Sequence, residues 1–179
     1  YTHDIDLLNK GENFEFVPFG GCWILDKDHN IYDKSKLISM IASGKNHLPG
    51  HKIRHEIINM FKNKFDLYGR LYNPVIYKLQ SFRDYMFSIV VENFKKDYYF
   101  TEKLIDSFVT GTIPIYYGCP SINKFFDERG IIQFSTLEEL EIIINNITSD
   151  TYVNMLQYVK DNFKLAKNYL TAEDWIVTN

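Results

Sequence analysis

The chain has 179 residues, of which 45% are hydrophobic and 24% are charged, and its formal net charge is −3 at pH 7. These values predict one globular domain with a hydrophobic core, and the slightly acidic balance argues against a broad nucleic-acid-binding surface. No apolar stretch approaches the roughly 20 residues that a membrane-spanning helix needs, and no secretory signal pattern is present.

Cys22 and Cys119 lie far apart in the sequence and do not have the spacing of metal ligands. This cysteine usage is typical of a reduced intracellular protein, so we expect a cytoplasmic location and leave attachment to a membrane surface open. The sequence begins at Tyr1 without a Met, which indicates a fragment or a processed product.

Residues 1–35 are the least regular part of the sequence. The alternation in Phe14-Glu-Phe-Val-Pro-Phe-Gly20 is typical of a short strand, which proline and glycine would end. We interpret 1–35 as an irregular N-terminal segment, either a remnant of a second domain or a link to one. The regular domain is predicted to cover residues 36–179.

Strand and helix patterns alternate from Lys36 onward. Buried strands are predicted at residues 37–42, 65–68, 85–91, 112–117 and 131–134. Helical spacing of apolar residues predicts helices at 53–61, 101–110, 137–147 and 152–170, and a last helix from Thr171 that buries Trp175 and Ile176. The pattern at 75–82 is ambiguous and is interpreted as a short helix, and Ser121 is expected to cap a brief helix that ends at Phe126. This alternation predicts an α/β fold, a Rossmann-like three-layer domain with a parallel sheet covered on both faces.

Three familiar nucleotide and hydrolase motifs are absent from the sequence. It contains no Gly-x-Gly-x-x-Gly turn, no Walker A loop and no Gly-x-Ser-x-Gly elbow. Redox chemistry with a dinucleotide, nucleotide hydrolysis by a P-loop and hydrolysis by an elbow serine are therefore disfavoured.

Polar residues gather instead where the predicted strands end and the helices begin. Asn93 follows a buried strand, Arg54 lies in the first turns of the first helix, and Glu102 and Lys103 open the central helix. Ligands of parallel sheets bind at this edge, and a helix N-terminus favours phosphate. Arg54 could also be an ordinary surface arginine. Glu102 could be present only because a carboxylate is favourable at a helix N-terminus. Lys103 is harder to explain in this way, because a cation at a helix N-terminus is unfavourable unless an anion compensates it.

Two short patterns could hold a metal ion. Asp26-Lys27-Asp28 offers two carboxylates in a predicted exposed turn, and His51 and His55 have the spacing of metal ligands on a helix without an evident third ligand. A solvated helix surface is the expected location of the two histidines. We predict that no cofactor is required and no metal site is assigned, and we leave a divalent metal open.

Three segments of the central region follow one ordered pattern: Glu92-Asn93, then Tyr99-Phe-Thr-Glu-Lys103, then Pro114-Ile-Tyr-Tyr-Gly118. Their order and spacing resemble the donor-binding signature of the α-1,3/4-fucosyltransferases, glycosyltransferase family 10. Upstream, Lys36-Leu-Ile-Ser-Met-Ile-Ala-Ser43 and Gly50-His-Lys-Ile-Arg54 are similar to the family's Lys-x-x-x-Ser strand and its Gly-x-x-x-Arg helix start. The resemblance covers residues 36 to 126, with weaker support beyond.

The resemblance implies the C-terminal half of a two-domain GT-B architecture, which binds GDP-fucose between facing Rossmann-like domains. It implies that Arg54 and Lys103 contact the diphosphate, that Glu102 accepts hydrogen bonds from the ribose hydroxyls, and that Asn93 and Tyr99 help to hold the nucleoside and the sugar. The implied partners are a nucleotide-sugar donor and a glycan acceptor. Two fixed cations and a helix N-terminus would stabilise the charge that develops on the departing GDP.

An inverting transferase also needs a general base that deprotonates the acceptor hydroxyl. The family's base belongs to the N-terminal domain, and Glu12 and Glu15 match no family motif. We therefore expect donor binding with weak or absent transfer by this chain alone. The alternatives are a transferase for another nucleotide sugar, a non-catalytic nucleotide-sugar-binding module, and a phosphate-binding regulator.

Overall fold

Five parallel strands form the centre of the fold in the computed structural model, which describes residues 1–11 and 13–178. The strands are β1 (Lys36–Ile41), β2 (Asp66–Tyr68), β3 (Tyr85–Val91), β4 (Ile113–Tyr117) and β5 (Ile132–Gln133). They lie in the order β2-β1-β3-β4-β5, and every neighbouring pair is parallel. The predicted parallel α/β sheet is confirmed, although β5 is shorter than the predicted strand.

The chain changes direction across the sheet between β1 and β3. It crosses from β1 to β2 on one side, then returns past β1 to form β3, β4 and β5 on the other side. In such sheets the crevice at the reversal, outside the carboxyl ends of the strands, is the usual ligand site. Ile41 ends β1 and Val91 ends β3. Asn93, two residues beyond the end of β3, therefore follows the strand into this crevice.

Helices cover both faces of the sheet and complete the three layers. The helices are α1 (Ile5–Leu8), α2 (Pro49–Phe61), α3 (Glu102–Phe108), α4 (Leu137–Asn146), α5 (Ser149–Ala166) and α6 (Ala172–Thr178). One core packs α2, α4 and most of α5 against the sheet, and the opposite core contains α3 and the end of α5. Phe87, Ile89 and Val91 face the first core and Val90 faces the second. Because β3 is buried on both faces, its sequence is a nearly continuous apolar run.

Gly50 allows the first turn of α2 to approach the end of β3 closely. Its N–H donates a hydrogen bond to the carbonyl oxygen of Asn93 at 3.0 Å. A Cβ at position 50 would lie 1.8 Å from the carbonyl oxygen of Glu92 and 2.9 Å from the Cα of Asn93. Only glycine fits this contact, so it fixes the position of α2 against the sheet.

The strand predicted at 14–20 is absent, which corrects the sequence prediction. This segment pairs only through two isolated bridges, Thr2 with Phe16 and Gly20 with Thr101. Pro18 cannot donate a backbone hydrogen bond, and Gly20 and Gly21 have positive φ values of 45° and 96°. The backbone therefore leaves the extended conformation before a ladder forms.

Two segments that were predicted as short helices contain shorter elements in the structure. The 75–82 and 121–126 segments contain only the 3₁₀ turns Lys78–Ser81 and Ile122–Lys124. Trp175 and Ile176 on α6 are half-buried, not buried as predicted. Among the residues that the structure describes, every helix is too short or too polar to cross a bilayer.

Gly50→Ala is expected to lower the free energy of unfolding by about 2–3 kcal/mol, since overpacking usually destabilises by such amounts. Urea unfolding of the purified chain measures this change. Gly11→Ala is the control, because a Cβ at Gly11 would meet no atom within 4 Å. A Gly50→Ala variant as stable as the wild type would contradict the close contact between α2 and β3.

Candidate functional site

Arg54 is a buried cation near the start of α2, so it is not a surface arginine, the alternative that the sequence left open. Its Nε donates to the carbonyl oxygen of Gly50 at 3.1 Å, and its Nη2 donates to Asn93 Oδ1 at 2.7 Å. Both acceptors are neutral, and within the described residues no carboxylate lies within 4.0 Å of the guanidinium. Burial lowers the pKa of Arg54, while the charges of Glu92 and Glu102 oppose that shift. The site therefore holds a desolvated positive charge without a direct counterion, an arrangement that favours an anionic ligand.

Glu92 is a fully buried carboxylate that anchors the beginning of α3. Its Oε1 accepts from the backbone N–H of Thr101 at 2.8 Å, and its Oε2 accepts from the Thr101 hydroxyl at 2.7 Å. Lys103 Nζ lies 3.3 Å from the same Oε2. Burial raises the pKa of Glu92, and the Lys103 charge and the Thr101 hydrogen bonds oppose the shift. In the sequence, Glu92 is recognisable only as part of the Glu92-Asn93 motif; its position directly after a buried strand is the signal that could have indicated this anchoring role.

Lys103 and Glu102 form the first turn of α3, where Thr101 is the N-cap. Lys103 Nζ lies 2.8 Å from Thr101 Oγ1 and 3.3 Å from Glu102 Oε1, in addition to its contact with Glu92. The three donors of the ammonium thus meet three oxygens. The side chains of Lys103 and Glu102 are 20% and 18% exposed, so a ligand can still reach them by exchanging one of these contacts.

Tyr99 is half-buried at the edge of the same group. Burial and the nearby carboxylates Glu92 and Glu102 raise its pKa to about 12, so the hydroxyl is protonated at neutral pH. Its ring contacts His3, Phe19 and Phe94, with ring centroids 5.6, 5.7 and 6.1 Å away. These rings form an apolar surface at one side of the group, and the Tyr99 hydroxyl is a hydrogen-bond donor there.

Tyr98 precedes Tyr99 in a left-handed backbone conformation with φ 62°. Its N–H donates to Ser121 Oγ at 3.0 Å, and its hydroxyl contacts Lys124 Nζ. These two contacts hold an unusual conformation in the loop that presents Tyr99.

The five predicted site residues come together at the crevice between β1 and β3. Arg54 bonds to Asn93, Lys103 contacts Glu102, and both Glu102 and Tyr99 lie close enough to Arg54 to influence its pKa. Arg54 and Lys103 also line a cavity of about 20 Å³ at the ends of β1 and β3, together with Lys78. Lys78 was not predicted as a site residue, because it lies in the ambiguous segment 75–82, where the sequence defines no strand end or helix start.

The two patterns considered for metal binding do not converge on this site. Asp26 is exposed and contacts His29 at 3.8 Å. His51 is buried, which corrects the prediction of a solvated histidine, and its Nδ1 accepts from the N–H of Leu48 at 3.3 Å. His55 Nε2 lies 3.0 Å from the Lys45 carbonyl oxygen. The described part of the chain contains no cluster of three or more histidine, cysteine or acidic side chains that could hold a metal ion.

A doubly wound parallel sheet with a buried arginine and partly buried lysines at its reversal point defines a class of α/β domains that bind anionic ligands, above all nucleotides. The family model described as "Glycosyltransferase family 10 (fucosyltransferase) C-term" matches residues 31–177. The chain therefore belongs to glycosyltransferase family 10, and the resemblance found in its motifs is confirmed.

Two curated proteins are similar to part of the chain. The alpha-(1,3)-fucosyltransferase FucT of Helicobacter pylori is 32% identical over 77 residues, which are 40% of this chain and 16% of that protein. A fucosyltransferase-like protein of Arabidopsis thaliana is 32% identical over 82 residues, which are 44% of this chain and 16% of that protein.

Solved structures of an alpha1,3-fucosyltransferase share the fold. The structure with GDP-fucose superposes with a TM-score of 0.57 at 25% identity, covering 76% of this chain and 48% of that one. The structure with GDP has a TM-score of 0.56 at 26% identity, covering 76% and 47%. The chain thus spans under half of these solved proteins and about a sixth of the two curated ones.

Thr101→Val is expected to destabilise the domain by about 2 kcal/mol, because it removes the N-cap of α3 and leaves Glu92 with fewer donors. Valine keeps the shape of threonine, so packing changes little. Thermal and urea unfolding measure the effect. Thr101→Ser keeps the hydroxyl and serves as the matched control. Equal losses in both variants would show that the methyl group, not the hydrogen bonds, matters at this position.

Proposed function

We propose that this chain is the donor-binding half of a fucosyltransferase and binds GDP-fucose at the crevice between β1 and β3. The observation that carries the proposal is the buried Arg54 guanidinium, which meets only neutral acceptors within hydrogen-bond distance. A diphosphate at the start of α2 would supply the missing negative charge. The solved structures of a related alpha1,3-fucosyltransferase with GDP-fucose and with GDP support the choice of ligand.

Each site residue receives a role in this proposal. Arg54 and Lys103 hold the diphosphate, and Glu102 accepts hydrogen bonds from the ribose hydroxyls. Asn93, whose Oδ1 already bonds to Arg54, keeps the guanidinium in place and contacts the nucleoside. Tyr99 closes the side of the pocket next to the sugar.

The reaction that this arrangement serves is transfer of fucose with inversion. When the bond between the sugar and GDP breaks, negative charge grows on the leaving diphosphate, and cations fixed beforehand stabilise that charge without reorganisation. The acceptor hydroxyl, on a glycan, must lose its proton to a general base. No role as base is proposed for Glu15, which is exposed and interacts with Tyr1, and Glu12 lies outside the described residues. We therefore propose that donor binding by this chain does not suffice for transfer.

The compartment that we propose is the cytoplasm, including the surface of its membranes. Both Cys22 and Cys119 are free thiols, as is usual where disulfides are kept reduced. The boundary near residue 36 between an N-terminal segment and the donor domain is likewise part of the proposal.

Calorimetry with four nucleotides tests the proposed donor. GDP and GDP-fucose are expected to bind, with UDP and ADP weaker. In a thermal-shift measurement, a ligand present at 100 times its Kd should raise the free energy of unfolding by about 2.7 kcal/mol. Equal binding of all three diphosphates would favour a less selective nucleotide-sugar or phosphate-binding module. Absence of heat with GDP and GDP-fucose would refute donor binding, and fucosyl transfer by the chain alone would refute the need for a separate base.

Arg54→Met and Lys103→Met are each expected to weaken GDP binding by about tenfold or more, since hydrogen bonds between charged groups contribute about 1.5–3 kcal/mol. Lys52→Met is the matched control, because Lys52 is exposed on the same helix as Arg54. Titration calorimetry at constant ionic strength gives the affinities, and circular dichroism verifies the fold. Unchanged affinity in both site variants would place the ligand elsewhere.

A further inference from the structure

Lys78 is a third cation at the crevice, and it comes from a segment outside the family motifs. It begins the 3₁₀ turn Lys78–Ser81 and lines the same cavity of about 20 Å³ as Arg54 and Lys103. A cavity of this size has room for about one water-sized group. Three cationic residues from three different segments of the chain thus line one small space.

Two contacts fix the Lys78 ammonium before any ligand arrives. Its Nζ lies 2.5 Å from Asp106 Oδ2, and the Asp106 side chain has no exposed surface. The same Nζ lies 5.0 Å from the centre of the Trp23 ring, within the range of cation–π attraction. Asp106 Oδ1 in turn accepts from the backbone N–H groups of Trp23 at 2.7 Å and Ile24 at 3.3 Å. The carboxylate is therefore held by the backbone and cannot follow the lysine elsewhere.

The contact between Lys78 and Asp106 is an ion pair, although Asp106 Oδ2 makes no hydrogen bond of regular geometry with a described residue. A fully buried carboxylate requires a counterion. The short distance between Lys78 Nζ and Asp106 Oδ2 therefore identifies Lys78 as that counterion. An ammonium has three donors, and within the described residues Asp106 is the only acceptor in contact with Lys78. Donors of Lys78 are therefore available for a ligand, and its side chain, which lines the cavity, is 12% exposed.

We propose that Lys78 is a third diphosphate-binding residue of the donor site. Its ammonium, held by Asp106 and Trp23, donates to a diphosphate oxygen of the nucleotide that also meets Arg54 and Lys103. This inference rests on the proposed donor binding and adds to it a residue outside the motifs. Because the cation is already in place, binding requires no rearrangement of the side chain.

Lys78→Met alone would leave Asp106 buried without a counterion and is expected to destabilise the fold. The decisive variant is therefore Lys78→Met combined with Asp106→Asn, which removes both charges and keeps an oxygen for the N–H groups of Trp23 and Ile24. Calorimetry is expected to show at least about tenfold weaker GDP binding in this variant. Guanosine, which lacks phosphates, should bind to it as to the wild type.

The control is Lys36→Met combined with Asp66→Asn, which removes a lysine–aspartate pair, 3.7 Å apart, at the amino end of β1. This control should bind GDP like the wild type. A Lys78/Asp106 double variant that stays folded and binds GDP within twofold of the wild type would show that the pair is only structural. The proposed donor binding would then stand without Lys78. Absence of GDP binding by the wild type itself would instead remove both proposals.

Discussion

The buried carboxylate of Glu92 is the constraint on which the crevice depends. Its oxygens hold the backbone and hydroxyl of Thr101 and the ammonium of Lys103, and so fix where α3 begins. The backbone carbonyl of the same residue forms the surface against which Gly50 packs at the start of α2. One residue at the end of β3 therefore sets the distance between two helix N-termini. Both helices therefore begin beside the end of β3.

The three cations of the crevice differ in how their charge is balanced. Lys103 contacts the carboxylates Glu92 and Glu102, and Lys78 contacts Asp106. Arg54 alone among the three has only neutral partners within hydrogen-bond distance. An isolated buried charge is unfavourable, whereas a paired one can be tolerated. We infer that the unpaired guanidinium determines the sign of the ligand, and that the paired lysines determine its position, because their own partners keep them in place.

Much of the fold was predictable, because the strongest signals in the sequence are local. The apolar run of β3 and the helical spacing of the apolar residues in α3 are sufficient to place both elements. The strand ends and helix starts predicted that Arg54 and Asn93 lie at one edge of the sheet. Their direct contact was not predictable from periodicity, since it depends on which strands become neighbours. Lys78 was missed because a single 3₁₀ turn leaves no periodic pattern, and the burial of His51 was missed because the close packing of α2 is a tertiary effect. The prediction of a strand at 14–20 was wrong, because the proline and glycine residues prevent the extended backbone that the alternating pattern indicates.

The parallel topology also has a consequence for how the chain folds. Among the five strands that the structure describes, no two are joined by a hairpin, and the pairing of β1 with β3 aligns Lys36 with Tyr85. Arg54 and Asn93 are 39 positions apart, and Lys34 Nζ reaches the carbonyl oxygen of Thr110 across 76 positions. Such non-local contacts make folding slow, because loop-closure entropy must be overcome before they form. The ligand crevice cannot be preassembled in any single segment. It comes into existence only when the central strands have paired, so the ability to hold an anion there would mark the completion of folding.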